Sequence, residues 1–503
     1  MPAPARIDVW RRTAGLALGP AVALLLWWLP LPGLSAAAHR LAGVVALVVI
    51  YWITEAIPLP VTALLGAALA VIVGIAPAKQ VLAAFGDPVI FLFIGSFMLA
   101  RAMQVHGLDR RIAYTLLAHP WVGGSTDRTL WALGLTACLL SMWMSNTACV
   151  AMLFPVALAI ARATGARLLP DAPSAAMAPR LRYTTGLLLM LTYAASVGGM
   201  ATPVGTPPNL IGIALIEQGV GVRIGFVSWM LFGVPVALLL LAVTFGVLRF
   251  LFPPEVRAVP GQVEHMRAAR QALGPLGAGE RNSLLAFGLA VALWVGPGLV
   301  GLWLEPGHAV TQWLEARLPE GIAALVAASA LFLLPINWSR REFTLRWEDA
   351  VRIDWGTVLL FGGGIALGRM MFDTGLADTI GQGLLGAVGV RSPAGIAGAA
   401  AGIATLLSET CSNTASANMI VPVMLSAARQ VPGAALTVGV AATLGASLGF
   451  MLPISTPPNA IVYGSGAVRI ADMVRAGLIL DVIGALIVWA ASVWLVPVVL
   501  GLA

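Results

Sequence analysis

Apolar stretches recur from one end of the 503-residue chain to the other, most long enough for a helix to cross a bilayer. They predict spans at about 13–32, 41–54, 58–77, 88–106, 184–216, 227–250, 282–304, 320–337, 354–371, 434–468 and 476–500. Two further stretches, at about 129–160 and 395–428, are split near the middle by small polar residues and read as re-entrant helical hairpins. The fold class is therefore an all-α polytopic membrane protein with about 11 spans and two hairpins.

The polar interruptions are duplicated. Ser145-Asn146-Thr147 returns as Ser412-Asn413-Thr414, offset by 267 residues, and each copy is followed by a proline ten residues beyond its serine, Pro155 and Pro422. Further on, Thr206-Pro207-Pro208-Asn209 returns as Thr456-Pro457-Pro458-Asn459, offset by 250. Phe93-Ile94-Gly95-Ser96 matches Phe361-Gly362-Gly363-Gly364, and the pairs Arg101/Arg369 and Gly107/Gly375 keep the same register. The first half thus carries about 17 extra residues, which the reading places in the loop near 163–182.

Charge sets the topology. Of the 29 Lys and Arg, Arg40, Lys79, Arg223, Arg317, Arg391 and Arg429 fall on one side of the predicted spans and Arg101 and Arg369 within helices. All others share the opposite side with the N-terminus. The positive-inside rule makes that side cytoplasmic and leaves the C-terminus outside. The hairpins then enter from opposite faces, an inverted repeat. Hydrophobic residues make up 59% of the chain and charged ones 10%, so the net charge of +7 reflects topology rather than a nucleic-acid surface. The stretch 13–31 is read as a first span rather than a cleaved leader, since it lacks a small-residue cleavage site and further spans follow it at once. Cys138, Cys149 and Cys411 show neither metal-ligand spacing nor a disulfide framework. Arginine so outnumbers lysine, with Lys79 alone, that a GC-rich bacterial genome is implied.

A hairpin turning at membrane depth exposes the first N–H groups of its second helix, which carry partial positive charge. Ser and Asn cap such ends and add donors of their own, so two facing tips can hold an anion. The turns before them offer hydroxyl and carbonyl oxygens to a hard cation such as Na⁺. Consecutive prolines break each following helix. The freed carbonyls can bind a cation, and the Thr and Asn at each restart are expected to reach the anion. Neither tip nor break contains Arg or Lys, so a co-bound cation is expected to balance the anion's charge.

Glu55 and Glu409, costly at membrane depth, are read as ligands or helix braces. Arg101 and Arg369 are expected to snorkel or pair with acids, His106 to be structural, and the 16 Trp to be interfacial anchors. The polar linker 253–281 is expected to carry a surface helix over 261–273.

These motifs, from Thr54-Glu55-Ala56-Ile57-Pro58 to Thr456-Pro457-Pro458-Asn459, resemble the divalent anion–sodium symporter family of di- and tricarboxylate and sulfate transporters. The resemblance implies a homodimer working as an elevator. Residues 1–85, 218–353 and 471–503 would form the scaffold, and residues 86–217 and 354–470 the moving transport domain. It also implies at least two Na⁺ sites. The first would use Ser141, Ser145, Asn146 and the carbonyl of Gly205; the second Ser408, Asn413 and the carbonyls of Cys411 and Ser455. Substrate carboxylates would meet Ser145, Asn146, Thr147, Ser412, Asn413, Thr414, Thr206, Thr456 and Pro457. At Ser408 the family often has Thr, which keeps the hydroxyl, and at Cys411 it usually has a small residue such as Ala. The expected function is Na⁺-coupled symport of C4-dicarboxylates such as succinate, malate and fumarate across a bacterial inner membrane. A Na⁺-independent exchanger and a citrate- or sulfate-preferring symporter of the same fold are the alternatives. A passive channel is a further rival. An enzyme is not expected, since neither His-Glu-x-x-His, Gly-x-Ser-x-Gly nor paired membrane aspartates are seen.

Overall fold

The computed structural model describes residues 6–501 except Gly124, 169–180, 259–261, 305–307 and Gln430. Each predicted span has its helix. Among the described residues, eight helices are long and apolar enough to cross a membrane, including Ala36–Thr54, Phe226–Leu251, Ala278–Gly301 and Trp355–Thr374. The others are short or broken, and with the ends of the long helices they build the site.

The first hairpin is Thr126–Ser141 followed by Asn146–Leu168, and the second is Pro393–Thr410 followed by Asn413–Ala428. Each broken helix consists of a long arm and a restart: Arg182–Gly199 with Pro207–Val220, and Ala434–Gly445 with Pro457–Gly464. The long arm lies against the first helix of its own hairpin. This approach is close enough to need glycine, since a Cβ on Gly198 would sit 2.2 Å from the Cys138 carbonyl oxygen. The restarts cross over. Pro207–Val220 packs on Asn413–Ala428 and Ala434–Gly445, while Pro457–Gly464 packs on Asn146–Leu168 and Arg182–Gly199. Each repeat therefore completes the core of the other, and the four interruptions are drawn together.

Two sequence expectations need adjustment. The helix predicted over 320–337 covers only Glu320–Ala330 and then turns into a two-stranded ladder, Pro335–Asn337 with Glu342–Phe343. The returning chain satisfies the freed carbonyls, Leu345 N–H donating to Leu331 and Thr344 N–H to Leu334. Of the tryptophans, Trp10, Trp28, Trp303, Trp338 and Trp494 are exposed as interfacial anchors would be, but Trp52, Trp229 and Trp294 are buried in the core. The linker does carry a helix, Gln262–Ala272, which packs on Leu108–Leu117. Arg111 ties it down, donating to the carbonyls of Leu273, Gly274 and Pro275 and to Glu280 at 2.6 Å. Of the loop assigned the extra residues of the first half, 169–180 lie outside the described residues.

Candidate transport site

The tips share one construction. Ser145 and Ser412 act as N-caps, their Oγ atoms accepting from the N–H groups of Ala148 (3.3 Å) and Ala415 (3.2 Å). Their hydroxyl protons stay available to an anion. Asn146 and Asn413 open the second helices, and each turns its Oδ1 back to the end of the first. Ser141 Oγ donates to Asn146 Oδ1 at 2.6 Å. Ser408 Oγ lies 2.8 Å from Asn413 Oδ1 and 2.8 Å from the Ala446 carbonyl oxygen. Ser141 and Ser408 are fully buried. Buried oxygens gathered with so few protons among them suit a hard cation. Cys411 leaves the helix in extended conformation, its thiol against Ser416 Oγ (3.1 Å) and the Leu407 carbonyl, so its own carbonyl is the group it can offer.

At the breaks the structure corrects one expectation. Asn209 and Asn459 do not face the anion; both are fully buried and brace the chain that has left the helix. Asn209 Nδ2 donates to the carbonyls of Gly199 (2.9 Å) and Thr202 (2.8 Å), and Asn459 Nδ2 to those of Gly449 (3.0 Å) and Leu452 (3.1 Å). Unpaired carbonyls at membrane depth cost several kcal/mol each, and this one side chain satisfies two of them. Asn459 Oδ1 also accepts from Thr192 Oγ1 at 2.8 Å, linking the repeats. Thr206 and Thr456 are N-caps of the restarts, with Pro207 and Pro457 in the first turn, where a missing N–H costs nothing.

Both tips and both breaks line a single cavity of about 300 Å³. Ser145, Asn146, Thr147, Gly205, Thr206, Ser412, Asn413, Thr414, Ser455, Thr456 and Pro457 all reach it, whereas Ser141, Ser408 and Cys411 stand behind its wall. Phe93, Phe97, Leu360, Leu59 and Pro60 supply the apolar part. Neither Lys, Arg nor His is among the described lining residues.

Glu409 is a brace. Its Oε1 accepts from Met451 N–H (2.8 Å), and its Oε2 from Leu452 N–H (3.0 Å) and Ser455 Oγ (2.8 Å), so one carboxylate pins the second break. Beside it stands Asp481, which accepts from Phe450 N–H at 3.3 Å. Sequence reasoning missed Asp481 and excluded only paired aspartates. The signal was there, one acid inside the apolar helix Ile470–Ala490. Glu55 is not among the described residues that line the cavity; it is left-handed at φ 49° and paired with Arg11 (3.1 Å) and Arg12 (3.2 Å). Arg101 faces Asp349 at 3.6 Å and Arg369 faces Asp373 at 3.9 Å, while His106 meets the Thr344 carbonyl at 2.6 Å. None of the four is among the described residues that line the cavity.

Broken helices meeting hairpin tips around a polar cavity, inside a shell of apolar helices, define a multi-pass membrane transporter. The chain belongs to the sodium:sulfate symporter family, the group also called divalent anion–sodium symporters, whose transmembrane-region model matches residues 10–501. Two sodium-dependent dicarboxylate transporters named SdcS, from Staphylococcus saprophyticus and Staphylococcus aureus strain USA300, are each 32% identical, over 97% of this chain and 92% of their own length. The crystal structure of the Alcanivorax borkumensis YdaH transporter covers 97% of both chains at 13% identity with a TM-score of 0.50, a likeness of fold.

Proposed function

We propose that this protein is a Na⁺-coupled symporter of C4-dicarboxylates such as succinate, malate and fumarate. The observation that carries the reading is the joint lining of one cavity by both tips and both breaks, rich in hydroxyl and amide donors but without a basic side chain. A dianion held by neutral donors needs a countercharge, and the buried Ser–Asn oxygen pairs behind each tip are where Na⁺ would supply it. The relatives named as sodium-dependent dicarboxylate transporters support the same coupling.

The first Na⁺ would be held by Ser141, Ser145, Asn146 and the Gly205 carbonyl, the second by Ser408, Asn413 and the carbonyls of Cys411 and Ser455. The substrate carboxylates would then meet Ser145, Asn146, Thr147, Ser412, Asn413, Thr414, Thr206, Thr456 and Pro457. Na⁺ binds first and orders the tips; the dianion completes the site; loss of Na⁺ inside releases it. Residues 86–217 and 354–470 move together as an elevator against residues 1–85, 218–353 and 471–503, in a homodimer. The N-terminus is cytoplasmic and the C-terminus periplasmic in a bacterial inner membrane. With that orientation the cavity reaches Leu59, Pro60, Asp354, Gly356 and Thr357 at the cytoplasmic ends of their helices, an inward-facing state.

Radiolabelled succinate uptake into proteoliposomes tests the reading, with inward Na⁺, K⁺ or H⁺ gradients and no internal substrate. Uptake into empty vesicles that requires Na⁺ is expected. Uptake only after preloading with a dicarboxylate, indifferent to Na⁺, would replace symport by exchange, and non-saturable uptake without counterflow would indicate a channel.

A further inference from the structure

The cavity that brings the tips together has one ionisable side chain among its described lining residues, and it has the wrong sign for an anion site. Asp354 precedes the helix Trp355–Thr374 and is exposed, lining the cavity with Gly356 and Thr357. Its carboxylate is held in place on both sides. Oδ1 accepts from Thr357 N–H at 3.1 Å and Oδ2 from Thr357 Oγ1 at 2.5 Å. As a helix cap alone, a neutral Asn or Ser would serve equally well. What Asp adds is a fixed negative charge facing the same space as the substrate. No arginine, lysine or histidine shares the described lining to cancel it.

We propose that Asp354 is a specificity-determining residue that selects substrates by charge, admitting dianions and disfavouring trianions. The proposal rests on the carboxylate-transport reading above. The tips hold a dicarboxylate by its two ends with a fixed set of donors. A third carboxylate has no further donor to meet and must lie in the part of the cavity that Asp354 faces. Coulomb repulsion grows with each added charge, whereas shape-based rejection does not follow charge. At a separation of roughly 10 Å, with solvent reaching the exposed carboxylate, each unit of substrate charge is disfavoured about threefold. The same repulsion hastens release of a dianion through this mouth once its Na⁺ has left.

The test is competition against Na⁺-driven labelled succinate uptake by monomethyl succinate, succinate and tricarballylate, at a pH where all are fully ionised. These carry one, two and three negative charges on similar carbon frames. In Asp354→Asn, which keeps the cap and removes the charge, apparent affinity should rise about threefold, tenfold and thirtyfold in that order. Asp354→Glu should retain the wild-type ratio of trianion to dianion affinity. Thr357→Val, which removes a hydrogen bond but no charge, should retain it too. A uniform shift in Asp354→Asn, an unchanged ratio, or an Asp354→Glu that behaves like Asp354→Asn would overturn the proposal. Should Asp354→Asn fail to fold, raising choline chloride on the wild type must weaken its discrimination against tricarballylate, and a salt-independent ratio would overturn it equally. Wild-type succinate uptake in the same vesicles reports separately on the transport reading.

Discussion

Replacing Glu409 by Gln tests whether one buried carboxylate holds the second half of the site in shape. The side chain receives three donors from the 451–455 segment: two backbone N–H groups and the Ser455 hydroxyl. Gln has one accepting oxygen, and its NH₂ group must point at a donor. At least one of the two N–H groups then loses its partner in a site only 3% exposed, at about 1–3 kcal/mol. The surviving bonds lose their charge assistance, worth roughly 1 kcal/mol more. The ordered form of the break should weaken by about 2–4 kcal/mol, or roughly thirtyfold to several hundredfold in its local equilibrium. On the proposed assignment Na⁺ binds the ordered break, so high Na⁺ should restore part of the activity.

The assay is Na⁺ titration of succinate uptake in proteoliposomes. Glu409→Gln should raise the half-saturating Na⁺ concentration about tenfold or more, with uptake partly recovered at the highest Na⁺. Half-saturation within about twofold of wild type would refute the argument. The neighbouring Asp481→Asn makes the contrast. Asn keeps an oxygen for Phe450 N–H and offers Glu409 a donor, so this variant should fold at least as stably as wild type.

Other expectations follow from the same geometry. Asn146→Ala and Asn413→Ala should each abolish Na⁺-driven uptake while the protein stays folded in detergent; near-normal uptake would count against the site. Asn459→Ala should lower the unfolding temperature more than Asn209→Ala, by about 1 kcal/mol in stability, because only Asn459 also serves Thr192; an equal effect would contradict this. Glu280, in the first turn of the helix Ala278–Trp303, is governed by opposing effects: burial raises its pKa, but the Arg111 guanidinium and Gly277 N–H outweigh it and hold the carboxyl below its ordinary value. Its contribution is therefore present above the ordinary carboxylate range and lost as pH falls through the depressed value. Protection against hydrogen exchange in 262–272, after correction for the intrinsic pH dependence of amide exchange, should fall on acidification, and Glu280→Gln should flatten that fall.

Helix positions were legible because membrane spans announce themselves by length and hydropathy, and the site because its motif occurs twice. The end of the helix at Ala330 was not, since the apolar run Leu331-Phe332-Leu333-Leu334 continues past it and only the returning ladder shows where its carbonyls are satisfied. Asn209 and Asn459 were assigned to the anion because an amide can do either job. Which job it does depends on where the freed carbonyls lie, a tertiary fact. Asp354 has no motif at all. It enters the cavity because the helix it caps packs beside both repeats.

The repeat also explains why its two halves need not act alike. The residue that corresponds to Glu409 at the 267-residue offset is Met142, which has no charge. There the break is latched through the backbone instead, Thr202 Oγ1 donating to the Met142 carbonyl. Both halves thus fasten the break to the end of the hairpin's first helix, one with a neutral carbonyl and the other with a carboxylate. The two fastenings differ in the field they leave behind: a carboxylate next in sequence to Ser408 would favour a cation at the Ser408–Asn413 oxygens more than a carbonyl dipole would beside Ser141 and Asn146. The two halves share the Ser-Asn-Thr and Thr-Pro-Pro-Asn frame, and among the positions that differ around it, Met142 against Glu409 is the one that changes the charge. On the proposed assignment of one cation behind each tip, the two would be held unequally, and the half that carries Glu409 should fill at lower Na⁺ than the half that carries Met142.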